Sequence, residues 1–143
     1  MTVFDDALRD LVADLADTMR AAPGIGITAP HIGVALRVVV LELPGDGLRA
    51  YVNPQIEAAG AERIRHSEGS VSMPGVSEEI ERAARVRVQY RDLSGIEQVE
   101  EAEGLLAVCH QHEIDQLDGI FWIQRLSRLK RERVVRRYEK SLR

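Results

Sequence analysis

Gly104-Leu105-Leu106-Ala107-Val108-Cys109-His110-Gln111-His112-Glu113-Ile114-Asp115-Gln116-Leu117 is the stretch on which the fold turns. Its first turns are apolar nearly all round, so the pattern predicts a helix buried on most sides instead of one lying amphipathic on a surface. Gly119 supplies a stop for it. Positions 112 and 116 are four apart and leave the same helix face. In zinc and iron hydrolases that spacing presents two histidines to one metal ion, with the intervening Glu as general base. Here the second position is Gln116, so the stretch by itself leaves open a metal site and a hydrogen-bonded core histidine.

Outward from this helix the chain is short strands with a helix at each end. Phe4, Leu8, Leu11, Val12, Leu15, Ala16 and Met19 recur at three- and four-residue spacing, which predicts an amphipathic helix over residues 4–21 ended by Pro23 and Gly24. A Gly/Pro-punctuated loop over 24–33 leads into a β-rich run from Leu36 to Leu43. Strands follow at Ala50 to Asn53 and Ile56 to Ile64. Val86, Val88 and Tyr90 alternate with Arg85, Arg87, Gln89 and Arg91 at the period of a half-buried strand. Asp92-Leu93-Ser94-Gly95 turns it into a partner over 96–102. A final helix is expected over 127–142, with Leu129, Val134, Val135, Tyr138 and Leu142 inward. The order of elements reads as an α+β fold, and the 143 residues as a single domain over 1–143.

Composition excludes several classes. At 45% apolar and 29% charged residues the chain is ordinary globular material. The apolar run Val38-Val39-Val40-Leu41 is strand-sized, and no run approaches the roughly 20 residues a membrane helix needs. The opening residues have no secretory signal pattern, and one cysteine, Cys109, forms no internal disulfide. Both points lead to the expectation of a cytoplasmic protein, with Cys109 as a small buried hydrophobe. Residues 125–143 carry nine Lys/Arg against Glu132 and Glu139, a net +7 that leaves −11 on the remainder of a chain at −4. Such a helix suits an anionic surface, although without interleaved aromatics it reads first as a solvated face.

Three segments occur in order: Gly24-Ile25-Gly26-Ile27-Thr28-Ala29-Pro30-His31-Ile32-Gly33, Glu68-Gly69-Ser70-Val71-Ser72-Met73-Pro74-Gly75, and Gln111-His112-Glu113-Ile114-Asp115-Gln116-Leu117-Asp118-Gly119. Together they resemble the three signatures of the peptide deformylase family. Val52-Asn53-Pro54 and Glu103-Gly104-Leu105-Leu106-Ala107 support the resemblance, which covers nearly the whole chain. It implies a deformylase-like fold of short antiparallel strands around the central helix, and a reaction that removes the formyl group from the N-terminal methionine of new proteins. Family members usually carry a leading segment before their first helix, whereas this sequence starts almost at the helix. In the family a cysteine thiolate and two histidines hold Fe²⁺, Zn²⁺ or a similar ion, whose bound water attacks as the Glu takes its proton. A glutamine stabilises the oxyanion.

Carried over residue by residue, the cysteine position is Ser70, the histidine positions are His112 and Gln116, and the oxyanion glutamine is His31. Gly24, Gly26, Gly69 and Val71 fall at substrate-binding positions. Glu113 keeps the place of the catalytic base, and His112 that of a metal ligand. An alcohol and an amide do not replace a thiolate and an imidazole for a transition ion. Without the ion, water keeps a pKa of ~15.7 instead of ~7. The resemblance with these substitutions therefore implies little or no deformylase activity and no firmly held cofactor, with weakly bound Zn, Fe or Ni as the alternative. It leaves a binding module for an N-terminal peptide or nascent chain, able to dock on the ribosome through residues 125–143. Two alternatives keep an enzyme: a metal site rebuilt from His31, His112 and Glu113, and a metal-free hydrolase with Ser70 as nucleophile and His112 as base.

Overall fold

Asp5 opens the first helix: its carboxylate accepts the Leu8 N–H at 3.1 Å, the arrangement a short acidic side chain makes ahead of an apolar-periodic run. In the computed structural model, which describes residues 3–22, 24–70 and 72–143, this helix, α1, spans Asp6–Ala21 and buries Leu8, Val12, Leu15, Ala16 and Met19. Phe4 precedes the cap and packs against the core from outside the helix. Pro23, expected to end it, lies outside the described residues. Gly24 N–H closes the end on the Met19 carbonyl at 2.8 Å.

Five strands form one antiparallel sheet: β1 (Gly26–Thr28), β2 (Val38–Leu41), β3 (Arg49–Ala59), β6 (Arg85–Arg91) and β7 (Glu97–Glu103), in the order β1-β2-β3-β6-β7. A separate two-stranded ribbon pairs β4 (Arg63–Ser70) with β5 (Met73–Ala83). The 24–33 stretch is not a loop throughout. It contains β1, whose three residues pair with β2, and a 3-10 turn over Ala29–Ile32, both too short to leave a period. The run expected over 36–43 narrows to β2, whose four residues are all buried. The two strands expected at Ala50 to Asn53 and Ile56 to Ile64 are instead the single β3 and the start of β4. Pro54 does not break β3, because the register against β6 slips there and Asn53 takes φ 51°. A bulge is where a strand tolerates proline. The β5 strand was not legible: Ser77-Glu78-Glu79 and Glu81 have low β propensity, and its inward positions mix Val76, Glu78, Ile80 and Arg82, which leaves no apolar alternation.

The central helix, α2, spans Gly104–Leu117 and buries Ala107 through Gln111, Glu113 and Ile114, as its composition requires. Gly119 follows at φ 83°. The helix packs against β1, β3, β6 and β7, with Ala107 and Ile114 meeting Val86, Val88 and Ala102. The last helix, α3, spans Arg128–Ser141 and is capped by Ser127, whose hydroxyl accepts the Lys130 N–H at 3.3 Å. It seats Val134 against Met73, Ile80 and Trp122, with Tyr138 alongside. Two of its expected inward residues point out instead, Leu129 at 64% and Leu142 at 68% exposure. Leu129 lies about 140° around the helix from Val134 at 3.6 residues per turn, and Leu142 is past the last turn. Among the described residues no helix is long and apolar enough to cross a membrane.

Candidate functional site

A cavity of about 500 Å³ opens where β1, the β4–β5 ribbon end and α2 converge. Apolar side chains such as Ile25, Met73, Leu105 and Val108 form its walls, and His31, Ser70, His112 and Glu113 stand along it. Gly24, Gly26 and Gly69 line it as well, while Val71 lies outside the described residues.

Glu113 is 5% exposed and its Oε2 has no hydrogen-bond partner. Burial pushes its carboxyl from the ordinary 4.5 up to about 7, against the His112 charge and with help from Glu68. It reaches this place because residue 26 has no side chain. A Cβ on Gly26 would stand 2.8 Å from Glu113 Oε1 and 2.9 Å from Leu41 Cδ2. Gly69 is held to glycine in a similar way, since a Cβ there would meet the Val76 carbonyl at 2.9 Å.

His112 is oriented from behind. Glu68 accepts from Arg82 Nε at 2.8 Å and Nη2 at 2.9 Å, which fixes it as a carboxylate; His112 Nδ1, 2.8 Å from Glu68 Oε1, is therefore the donor. Burial disfavours the charged ring, but the bond to Glu68 and the charges of Glu113 and Glu68 outweigh it, and the His112 pKa rises above 6.5. Its other nitrogen, Nε2, is 4.0 Å from Glu113 Oε1, too far for a hydrogen bond. Arg82 Nη1 also donates to Asp115 at 2.6 Å, and Arg125 closes on Asp115 with bonds of 3.0 and 2.8 Å. The Glu68–Arg82–Asp115–Arg125 chain thus ties β4, β5 and α2 to the segment before α3.

His31 faces another way. Its Nδ1 accepts the Thr28 N–H at 3.1 Å, so the ring proton sits on Nε2. Burial and the His112 charge hold its pKa below 6.5. The Gln116 side-chain amide lies 2.7 Å from Nε2. Two donors do not bond, so the amide presents its oxygen to the ring, an orientation that also satisfies the otherwise unpartnered Gln116 Oε1. Ser70, at the end of β4, accepts the Ser72 N–H on its Oγ at 3.1 Å. No hydrogen bond joins Ser70 to His112 among the described residues. The donors at the three ligand positions are thus one alcohol, one amide bound to a histidine and one imidazole. Among the described residues no group of three or more His, Cys, Asp or Glu stands close enough to hold a metal ion.

Sequence reasoning placed His31, Ser70, His112, Gln116 and Glu113 together by resemblance, and all five meet around this cavity, Gln116 through His31. It assigned no part to Glu68, Arg82, Asp115 or Thr28. Glu68 and Asp115 were in the quoted motifs, but a bond 44 residues apart in sequence, as between Glu68 and His112, leaves no local spacing to find. His110 and His66, unpartnered in sequence, have partners in space: His110 Nε2 lies 2.7 Å from Glu100 Oε1 and His66 Nδ1 lies 2.8 Å from the Ser67 carbonyl oxygen. Cys109 lines the cavity, and burial pushes its thiol up to about 12, so it remains a neutral thiol.

An antiparallel sheet wrapped on a helix that bears His-Glu, with a cavity of about 500 Å³ over that pair, defines the class: an α+β fold of the deformylase type. A peptide deformylase from Legionella pneumophila superposes with a TM-score of 0.91 at 39% identity, over 98% of this chain and 83% of that one. The chain belongs to the polypeptide deformylase family, which it matches over residues 1–132. Among named relatives, a peptide deformylase-like protein of Bradyrhizobium diazoefficiens is 70% identical over all of this chain and 85% of its own length. A peptide deformylase of Phenylobacterium zucineum is 46% identical over 95% of this chain and 83% of its own.

Proposed function

We propose that this family member binds peptide N-termini in the deformylase cleft without metal-dependent deformylation. The observation that carries the reading is the donor set at the three ligand positions. Ser70 offers an alcohol that does not ionise near neutral pH, Gln116 offers a neutral carbonyl already facing His31, and only His112 offers an imidazole nitrogen. Transition ions bind such oxygen donors far more weakly than thiolate and imidazole, so Glu113 has no activated water from which to take a proton.

The rebuilt site of His31, His112 and Glu113 is disfavoured by the capping bond at Thr28, which occupies His31 Nδ1, and by the Gln116 amide on Nε2. The serine hydrolase reading lacks the nucleophile–base bond it needs: among the described residues no hydrogen bond joins Ser70 to His112, and the contact Ser70 Oγ does make is to the Ser72 N–H. In the binding reading the setting is cytoplasmic, the ligand is an N-terminal peptide or nascent chain, and the basic helix docks on the ribosome. Arg133, Arg136, Lys140 and Arg143 are exposed and free of ion pairs among the described residues, which suits an anionic surface.

Metal analysis of protein purified without chelator, run beside a formyl-methionyl peptide assay, tests the reading. The expected result is substoichiometric Zn, Fe, Ni and Co, and no turnover. One tightly held ion with appreciable cleavage overturns it. Co-sedimentation with ribosomes should fall steeply with salt and vanish on removal of residues 125–143.

A further inference from the structure

The end of the cleft at Glu113 has one buried carboxyl without a hydrogen-bond partner, its nearest cationic group being His112 Nε2 at 4.0 Å. Glu68 is spent on Arg82 and His112, and Asp115 on Arg82 and Arg125. Glu113, 5% exposed, has no hydrogen bond to either oxygen among the described residues, and its Oε2 is buried with no partner. A buried acceptor left unsatisfied is costly, so the site favours a ligand that brings a donor to this point. Met73, Leu105 and Val108 make an apolar wall within the same cavity.

A formyl group is a poor match for this corner. Its carbonyl oxygen needs a Lewis acid or a set of N–H donors, whereas the corner offers the oxygens of a buried carboxyl, which ionises on meeting a cation. An ammonium matches it: three donors, no acceptor and the opposite charge. We infer that the cleft selects peptides with a free N-terminal ammonium, seated on Glu113 with an unbranched apolar first side chain such as methionine against Met73, Leu105 and Val108, over peptides whose N-terminus is formylated or acetylated. This rests on the reading of the cleft as a non-hydrolytic peptide site and names its ligand class. The chain then takes the chemical form that deformylation yields, not the form it consumes. Specificity arises as a difference of affinities: the blocked peptide leaves Glu113 buried without a hydrogen bond, and the free one does not.

The test titrates the full chain with the tripeptide Met-Ala-Ser bearing a free amine, a formyl cap, an acetyl cap, or a hydrogen in place of the amine, with calorimetry and product analysis. The free amine should bind at least about tenfold more tightly than the other three, a difference of about 1.4 kcal/mol. In Glu113→Gln that ratio should fall towards one while the circular dichroism spectrum is retained. If this variant does not fold, the wild-type comparison with the des-amino peptide decides alone, because it removes the charge at nearly constant size. Equal or tighter binding of the formyl peptide without cleavage overturns the inference and leaves the binding reading standing. Cleavage of the formyl peptide overturns the binding reading, and failure of all four peptides to bind overturns both.

Discussion

Replacing Glu113 by Gln should make the protein more stable by an amount that grows as the solution becomes more alkaline. Burial raises this carboxyl from 4.5 to about 7, so between those values the native state holds a proton that the unfolded chain has released. Stability follows the difference in bound protons between the unfolded and native states, and here the native state binds more; it therefore falls as pH rises through this window. At about 1.4 kcal/mol per pH unit the full effect is about 3.4 kcal/mol, of which about 2.5 kcal/mol falls between about pH 5 and about pH 8. His112 acts in the same direction, because its raised pKa contributes stability that is complete below 6.5 and is lost as pH climbs through the folded value. Glu68 and Glu100 have depressed pKa values; their contribution is present above 4.5 and is lost only on further acidification. Urea unfolding of wild type and Glu113→Gln across this range isolates the group, since any static cost of the amide cancels in the difference between the two pH values. The two proteins should diverge by about 2.5 kcal/mol from about pH 5 to about pH 8, with the variant gaining. Parallel curves, or a wild type that grows more stable over the same range, refute the claim that this carboxyl is held in an apolar, unpartnered place.

Arg82→Met should cost about 3–5 kcal/mol in urea unfolding, because it leaves the Glu68 carboxylate buried without its guanidinium while Asp115 keeps Arg125; a loss below about 1 kcal/mol would show that the network adds little. Gly26→Ala should lower stability by about 1–3 kcal/mol through overpacking against Glu113 and Leu41, and an unchanged midpoint in the same assay counts against the close approach seen here. The combined substitutions Ser70→Cys, Gln116→His and His31→Gln should raise bound Zn or Co from substoichiometric to one per chain by elemental analysis, since they restore sulfur and imidazole donors around His112. No gain of metal would mean that the pocket geometry, and not the donor chemistry, has been lost.

How far the sequence disclosed all this depended on the kind of force at each place. The α2 helix was legible to the residue, since Leu105 through Cys109 are apolar on every side and Gly119 marks the stop. The β6–β7 hairpin was equally plain from its alternation and from Asp92, whose carboxylate receives the Ser94 and Ile96 N–H groups at 2.9 and 3.0 Å. In contrast, β1 and β5 are held by neighbours remote in sequence and carry no period of their own. The gathering of His31, Ser70, His112, Gln116 and Glu113 came only from three motifs taken together. Hidden from any linear reading were the Arg82 bonds that aim His112 and the Thr28 N–H that locks His31, because each depends on tertiary placement. On α3, Leu129 and Leu142 misled the assignment of its inner face because a short helix on a narrow ribbon covers only the stripe around Val134.

The Glu68–Arg82–Asp115–Arg125 chain also does the work of a crosslink. Protein charges hold the imidazole and the two carboxylates in position, so the scaffold does not need an ion as a structural rivet. With such an internal brace, a chelator should leave the architecture intact.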